Sequence, residues 1–167
     1  MSPHAIVLTV IVLGTVLAAA IDLRTWRVPN AVTVSLAAAG VLLAVAGLGR
    51  VGPVASLLGL GVGCALMLPG HLFGGTGAGD VKLFAAVGTL LGPAGILSAF
   101  LYTAIAGGIL ALLVALRRRR GRQTFNRVAR FIANTAGSKA AIEHPSAGNR
   151  FAYAPAIAVG AIFAAMA

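Results

Sequence analysis

The stretch AIVLTVIVLGTVLAAAI, from Ala5 to Ile21, carries no charge and runs directly into Asp22-Leu23-Arg24. A helix that crosses the hydrocarbon of a bilayer needs roughly 20 mainly apolar residues, and this run with its flanks has that length. The chain then repeats the pattern. Ala31 to Leu48 is a second apolar run, and Val54 to Phe73 a third, weakened near Pro69-Gly70. Val81 to Leu91 is shorter and ends at Gly92-Pro93, so it is expected to cross partway, to tilt, or to pack behind its neighbours. Ala94 to Leu116 is long enough to cross, and Phe151 to Ala167 closes the sequence. The expectation is an all-α, polytopic membrane protein of about six transmembrane helices, forming one transmembrane domain over residues 1–167.

Composition agrees with that reading. Of 167 residues, 59% are hydrophobic and 10% charged, and the mean hydropathy is +0.99. A soluble domain carries about 25% charged residues, so this chain has too little charge to solvate a globular surface. The charge is also one-sided, with 13 Lys and Arg against 3 acids and a formal net of +10.

Lys and Arg favour the cytoplasmic side of a membrane protein. With the N-terminus outside and six alternating spans, residues 22–30, 74–80 and 117–150 face the cytoplasm. That arrangement puts Arg24, Arg27, Lys82, Arg117 to Arg120, Arg122, Arg127, Arg130, Lys139 and Arg150 inside and leaves Arg50 outside. Both termini are therefore expected outside the cytoplasm. Met1-Ser2-Pro3-His4 has no positive charge before the apolar run, while Arg24 and Arg27 follow it. That order suits a retained helix rather than a cleaved signal peptide.

In the basic 117–150 loop, Phe125, Val128, Phe131 and Ile132 fall on one helical face, with Arg127 and Arg130 on another. An interfacial helix drawn to anionic lipid of the inner leaflet is expected there. The arginine run abuts a span and reads as a topology anchor, not as a nucleic-acid site. The one cysteine, Cys64, lies inside the third run, and no clustered ligand set suggests a metal; no cofactor is expected.

The three acids are Asp22, Asp80 and Glu143. Glu143, beside His144 and Pro145, reads as a solvated loop residue. Asp22 and Asp80 are different, because the topology sets both near the inner interface, where a carboxylate is costly and functional by default. Two carboxylates at close range share a proton and titrate as a unit. The ionised one draws a proton from water, and the protonated one donates to a carbonyl oxygen, which is the chemistry of peptide hydrolysis. Gly77 and Gly79 let the backbone before Asp80 turn sharply and approach an extended substrate. Asp80 is also expected to precede a helix start, where a capping carboxylate is favoured. The plainer alternatives are an Asp22 paired with Arg24 or Arg27, and an Asp80 that only caps a helix beside Lys82. His71, near the same loop, reads as structural, Trp26 as an interfacial anchor, and Thr76 as part of the loop.

These residues carry a resemblance. Gly77-Ala78-Gly79-Asp80 followed by Lys82-Leu83 resembles the GxGD signature of membrane aspartic proteases, in the GxGDxKL form of type IV prepilin peptidases. Asp22-Leu23-Arg24 with Val28-Pro29-Asn30 is similar to that family's other aspartate motif. Ala154-Pro155-Ala156 to Gly160 is similar to the proline-containing segment of its last helix. The resemblance implies that Asp22 and Asp80 are the catalytic pair. It also implies that Gly77, Gly79, Lys82, Arg24, Pro29 and Asn30 bind substrate or shape the site. The implied substrate is a prepilin or pseudopilin with a short basic leader before an apolar helix, cut at the cytoplasmic face of the bacterial inner membrane. The chain lacks the paired CxxC motifs of bifunctional members, so it looks like the short, peptidase-only form of tight-adherence (Flp-type) pilus systems, with N-methyltransferase activity not expected. Two other classes fit less well. A GxGD protease of other membrane helices pairs Tyr-Asp with the second motif, whereas Ile21 precedes Asp22 here. A small proton-coupled transporter would use the two carboxylates as a relay but would be expected to show repeats with broken helices. A non-catalytic assembly factor is a third alternative, and it would tolerate loss of either aspartate.

Overall fold

The computed structural model describes residues 2–72, 75–117 and 153–167. All the regular structure among those residues is helix: α1 (Pro3–Thr25), α2 (Asn30–Val45), α3 (Pro53–Leu72), α4 (Ala78–Arg117) and α5 (Ala154–Met166). The chain divides into two compact units, one of residues 1–107 with 150–167 and one of residues 108–149. The described part of the second unit is the continuation of α4. The 118–150 part of the basic loop, its interfacial helix and Glu143 lie outside the described residues.

Each boundary has a local cause. Ser2 caps α1, its Oγ accepting from the Ala5 N–H, and Pro3 opens the helix without leaving a donor unpaired. At the other end Trp26 adopts a left-handed conformation (φ 56) and donates its N–H to the Asp22 carbonyl. Trp26 is the one non-glycine residue with positive φ among those described. Pro29, at φ −64 and ψ 138, precedes α2, and its carbonyl accepts from Val32 and Thr33. α3 continues past Pro69 to Leu72, so the expected weakening near that proline does not end the helix.

α4 contains the break that Gly92-Pro93 predicts. Gly92 stands at φ 71, ψ −177, which separates an arm of residues 78–91 from one of residues 93–117. The first arm is about 21 Å long at 1.5 Å per residue, short of a hydrocarbon core of about 30 Å. Val81 and every residue from Leu83 to Gly92 are buried. This arm is therefore the centre of the bundle, the expected packing of a short segment behind its neighbours. Phe84 meets Phe100 of the second arm edge to face, with ring centroids 6.2 Å apart.

The other helices close around that centre. α1 packs along α5 and α2, and α2 along α3. α3 meets the central arm backbone to backbone: a Cβ on Gly59 would strike the Gly88 carbonyl, and one on Gly88 the Gly59 carbonyl. Such small-residue contacts drive helix association where lipid removes the hydrophobic force between helices. The outer surface is apolar, with Leu13, Val34, Leu42, Val54, Leu57, Leu101 and Phe163 all exposed. A surface of that kind belongs in lipid. α1, α3 and the 78–113 stretch of α4 are each long and apolar enough to cross a membrane, while α2 and α5 are shorter apolar helices. With only helices among the described residues and three of them long and apolar, this is a helical membrane protein.

Candidate active site

One end of the first unit gathers the end of α1 and the starts of α2, α4 and α5. Asp22 lies in the last turn of α1 and is 5% exposed; Asp80 lies in the first turn of α4 and is 6% exposed. They are 58 residues apart in sequence, and the segments that carry them come together where Val28, in the turn after α1, lies against Gly79, the residue before Asp80.

Asp80 sits one turn deeper than a cap residue. Gly77 occupies the cap position, and Asp80 is the third helical residue, its Oδ2 accepting from the Gly77 N–H at 3.0 Å. This is the reciprocal arm of a capping box, in which an acid at the third position reaches back to the cap amide. The expectation that Asp80 precedes the helix start is corrected accordingly. A Cβ on Gly77 would stand 3.2 Å from that Oδ2, so the glycine keeps the carboxylate uncrowded. Gly79 serves a different contact. A Cβ there would stand 3.0 Å from Val28 Cβ and 3.4 Å from its backbone nitrogen, so its absence lets the 26–30 turn lie against α4.

Asp22 is held differently. Its Oδ2 is buried without a hydrogen-bond partner, and the Ala154 backbone amide, at the start of α5, lies beside the carboxylate. A helix N-terminus favours a negative charge at that position. Arg24 and Arg27, offered as partners for Asp22, are exposed at the surface.

Lys82 is exposed and donates from Nζ to Asn30 Oδ1 at 3.0 Å. Residues two apart on a helix do not share a face, so Lys82 is turned toward α2 rather than toward Asp80. Pro29 and Asn30 thus enter the site through the turn between α1 and α2. Thr25 braces that turn, its Oγ1 lying 2.9 Å from the Ile21 carbonyl and 3.0 Å from that of Arg27. His71 Nδ1 donates to the Thr76 carbonyl at 3.0 Å, and the Gly75 and Thr76 amides bond the Gly70 carbonyl. His71 therefore closes the loop before the GxGD segment, which is a structural role.

Tyr153 and Ala154 are the site residues that reading the sequence did not single out. Tyr153 precedes α5 and is half-buried, and its phenol lies against Gly107 of α4. Burial, and then the negative charge of Asp80, push that phenol above its ordinary range, so it stays neutral and able to donate. The available signal was a tyrosine placed two residues before the proline that opens an apolar helix.

The arrangement gives two buried carboxylates, one bonded to an amide and one with a free oxygen, beside a neutral phenol. Among the described residues no three His, Cys, Asp or Glu side chains come together as a metal site. The chain matches the model of the type IV leader peptidase family over residues 8–112, which takes in both aspartates, the 22–30 turn and the GxGD segment. The chain belongs to the type IV leader peptidase family. No curated protein and no solved structure matches it. Membership makes the protein a peptidase, and the matched region holds most of α1, all of α2 and α3, and most of α4 of this leader peptidase.

Proposed function

We propose that the protein is a membrane aspartic endopeptidase that removes the leader peptide from type IV prepilins or prepilin-like proteins, using Asp22 and Asp80 as its catalytic pair. The observation that supports this reading is that two buried aspartates from distant parts of the chain lie on segments that pack together, Val28 against Gly79. Membership of the leader peptidase family supports the substrate class.

In this mechanism one carboxylate is ionised and the other protonated. The ionised one takes a proton from a bound water as the water oxygen forms a bond to the scissile carbonyl carbon. The protonated one donates to the carbonyl oxygen. Collapse of the tetrahedral intermediate breaks the C–N bond, and the leaving nitrogen takes up the proton held at the dyad. The excess of Lys and Arg beside the site segments favours a bacterial inner membrane orientation in which the dyad faces the cytoplasm and both termini lie outside. There the basic loop would meet anionic lipid and the substrate's leader would arrive.

Co-expression with a candidate prepilin tests this reading. The wild type is expected to shorten the precursor by its leader, and Asp22→Asn and Asp80→Asn to lose at least about a hundredfold in rate, the scale of an acid–base group. Wild-type processing by either variant would overturn it.

A further inference from the structure

Two contacts join the segment after Asp22 to the segment that carries Asp80. One is the close approach of Val28 to Gly79, and the other is the Lys82 to Asn30 hydrogen bond. They lie side by side, because Val28 and Asn30 flank Pro29 while Gly79 and Lys82 flank the Asp80-Val81 pair. Among the described residues no covalent or sheet-like connection holds α1 to α4 at this end. Asp80 is bonded within its own helix and Asp22 has the start of α5 beside it, but the Asp22 Oδ2 has no bond that would register it against Asp80. Two acids at close range also repel when both ionise. Something must hold the two segments at one separation.

We propose that the Lys82–Asn30 hydrogen bond is a positioning clasp for the aspartate pair, tying the turn after Asp22 to the first turn of α4. The proposal rests on the reading of Asp22 and Asp80 as the dyad. Lys82 and Asn30 are positioning residues: they touch neither the reacting carbonyl nor the water. Lys82 acts here as a donor to an amide oxygen and not as a counter-ion to Asp80. Because the bond lies at the exposed rim, its loss leaves the buried contacts of the bundle in place and changes the spacing of the two carboxylates.

The test uses the full chain in detergent or bilayer with a prepilin substrate. Lys82→Met keeps the aliphatic stem and removes the donor; Asn30→Leu removes the acceptor. Each is expected to lower kcat about tenfold with KM within about twofold, since small displacements of reacting groups act on the chemical step. The double variant is expected to be no slower than the slower single one, because both remove the same bond. Asn30→Asp retains an acceptor for Lys82 and is expected to stay within about threefold of wild type. Losses that multiply in the double variant, a loss confined to KM, or a silent Asn30→Leu beside an impaired Lys82→Met would each overturn the clasp.

A second measurement needs no activity. In a Cys64→Ala background, Val28→Cys with Gly79→Cys sets two Cβ atoms 3.0 Å apart, closer than the roughly 3.5–4.5 Å that a disulfide spans, so a small parting of the segments admits the bridge and a larger one hinders it. Their oxidation, read by loss of maleimide-reactive thiols, is expected to slow at least about threefold when Lys82→Met is added. An unchanged rate would overturn the clasp whether or not leader is cut. Failure of the wild type to cut any leader would overturn the dyad reading, and the thiol measurement would still decide the clasp.

Discussion

At the scale of single residues, the site separates charge from support. Asp80 is both a helix-capping group and a candidate acid, because its Oδ2 holds the Gly77 amide while burial keeps water away. An asparagine there can still accept from Gly77, so Asp80→Asn removes the acid and keeps the cap. Asp80→Leu is therefore expected to lower the thermal midpoint as well as the activity, by about 1 kcal/mol for the lost cap; circular dichroism of purified protein distinguishes the two. A proton-sharing pair also predicts a bell-shaped dependence of kcat/KM on pH. With both carboxyls protonated there is no base, and with both ionised there is no acid. A rate that only rises with pH would point to a single base. Gly79→Ala, which sets a Cβ 3.0 Å from that of Val28, is expected to lower kcat about tenfold by parting the two segments. Steady-state cleavage of a purified prepilin measures it. The two aspartates were legible in the sequence because a chain with 3 acids makes each one conspicuous. Tyr153 and Ala154 were not, since only the packing of α5 on α1 brings them to the carboxylates.

At the scale of elements, the fourth helix decides the architecture. Its break rests on Gly92, whose φ of 71 disfavours any side chain. Gly92→Ala is expected to cost about 1–2 kcal/mol, read as a lower thermal midpoint with helical content unchanged. Gly88→Val is expected to cost more, since a side chain there meets the Gly59 backbone, which has no rotamer with which to retreat. The break was readable from Gly92-Pro93, as was the shortness of the arm before it. The start of that arm was not. Gly77-Ala78-Gly79 reads as loop by composition, yet helix begins at Ala78 because Asp80 caps the turn from inside. Helix partners were equally hidden. α1 and α5 are apolar on every side, so no stripe of polarity indicates which faces meet.

At the scale of the whole molecule, the first unit has two distinct ends. The site occupies one; at the other, Arg50 in the turn between α2 and α3 donates from Nη1 to the Ala165 carbonyl in the last turn of α5, at 2.7 Å. That bond satisfies a carbonyl which the helix end leaves unpaired and sets a cation at the negative end of the dipole. Arg50→Ala is expected to lower stability by about 1–3 kcal/mol with kcat per folded molecule unchanged, measured by thermal denaturation and by prepilin cleavage on the same sample. The charge pattern singles out Arg50 as the one Lys or Arg expected on the non-cytoplasmic side, without hinting that it holds α5.

The central claim is that Asp22 and Asp80 act as one unit. The most direct test is prepilin cleavage by purified protein carrying Asp22→Asn, Asp80→Asn or both. Residues that work as a unit are grossly non-additive. The account predicts that each single variant loses at least about a hundredfold in kcat and that the double variant is no slower than the singles. Substantial cleavage by either single variant, or losses that multiply in the double, would contradict it.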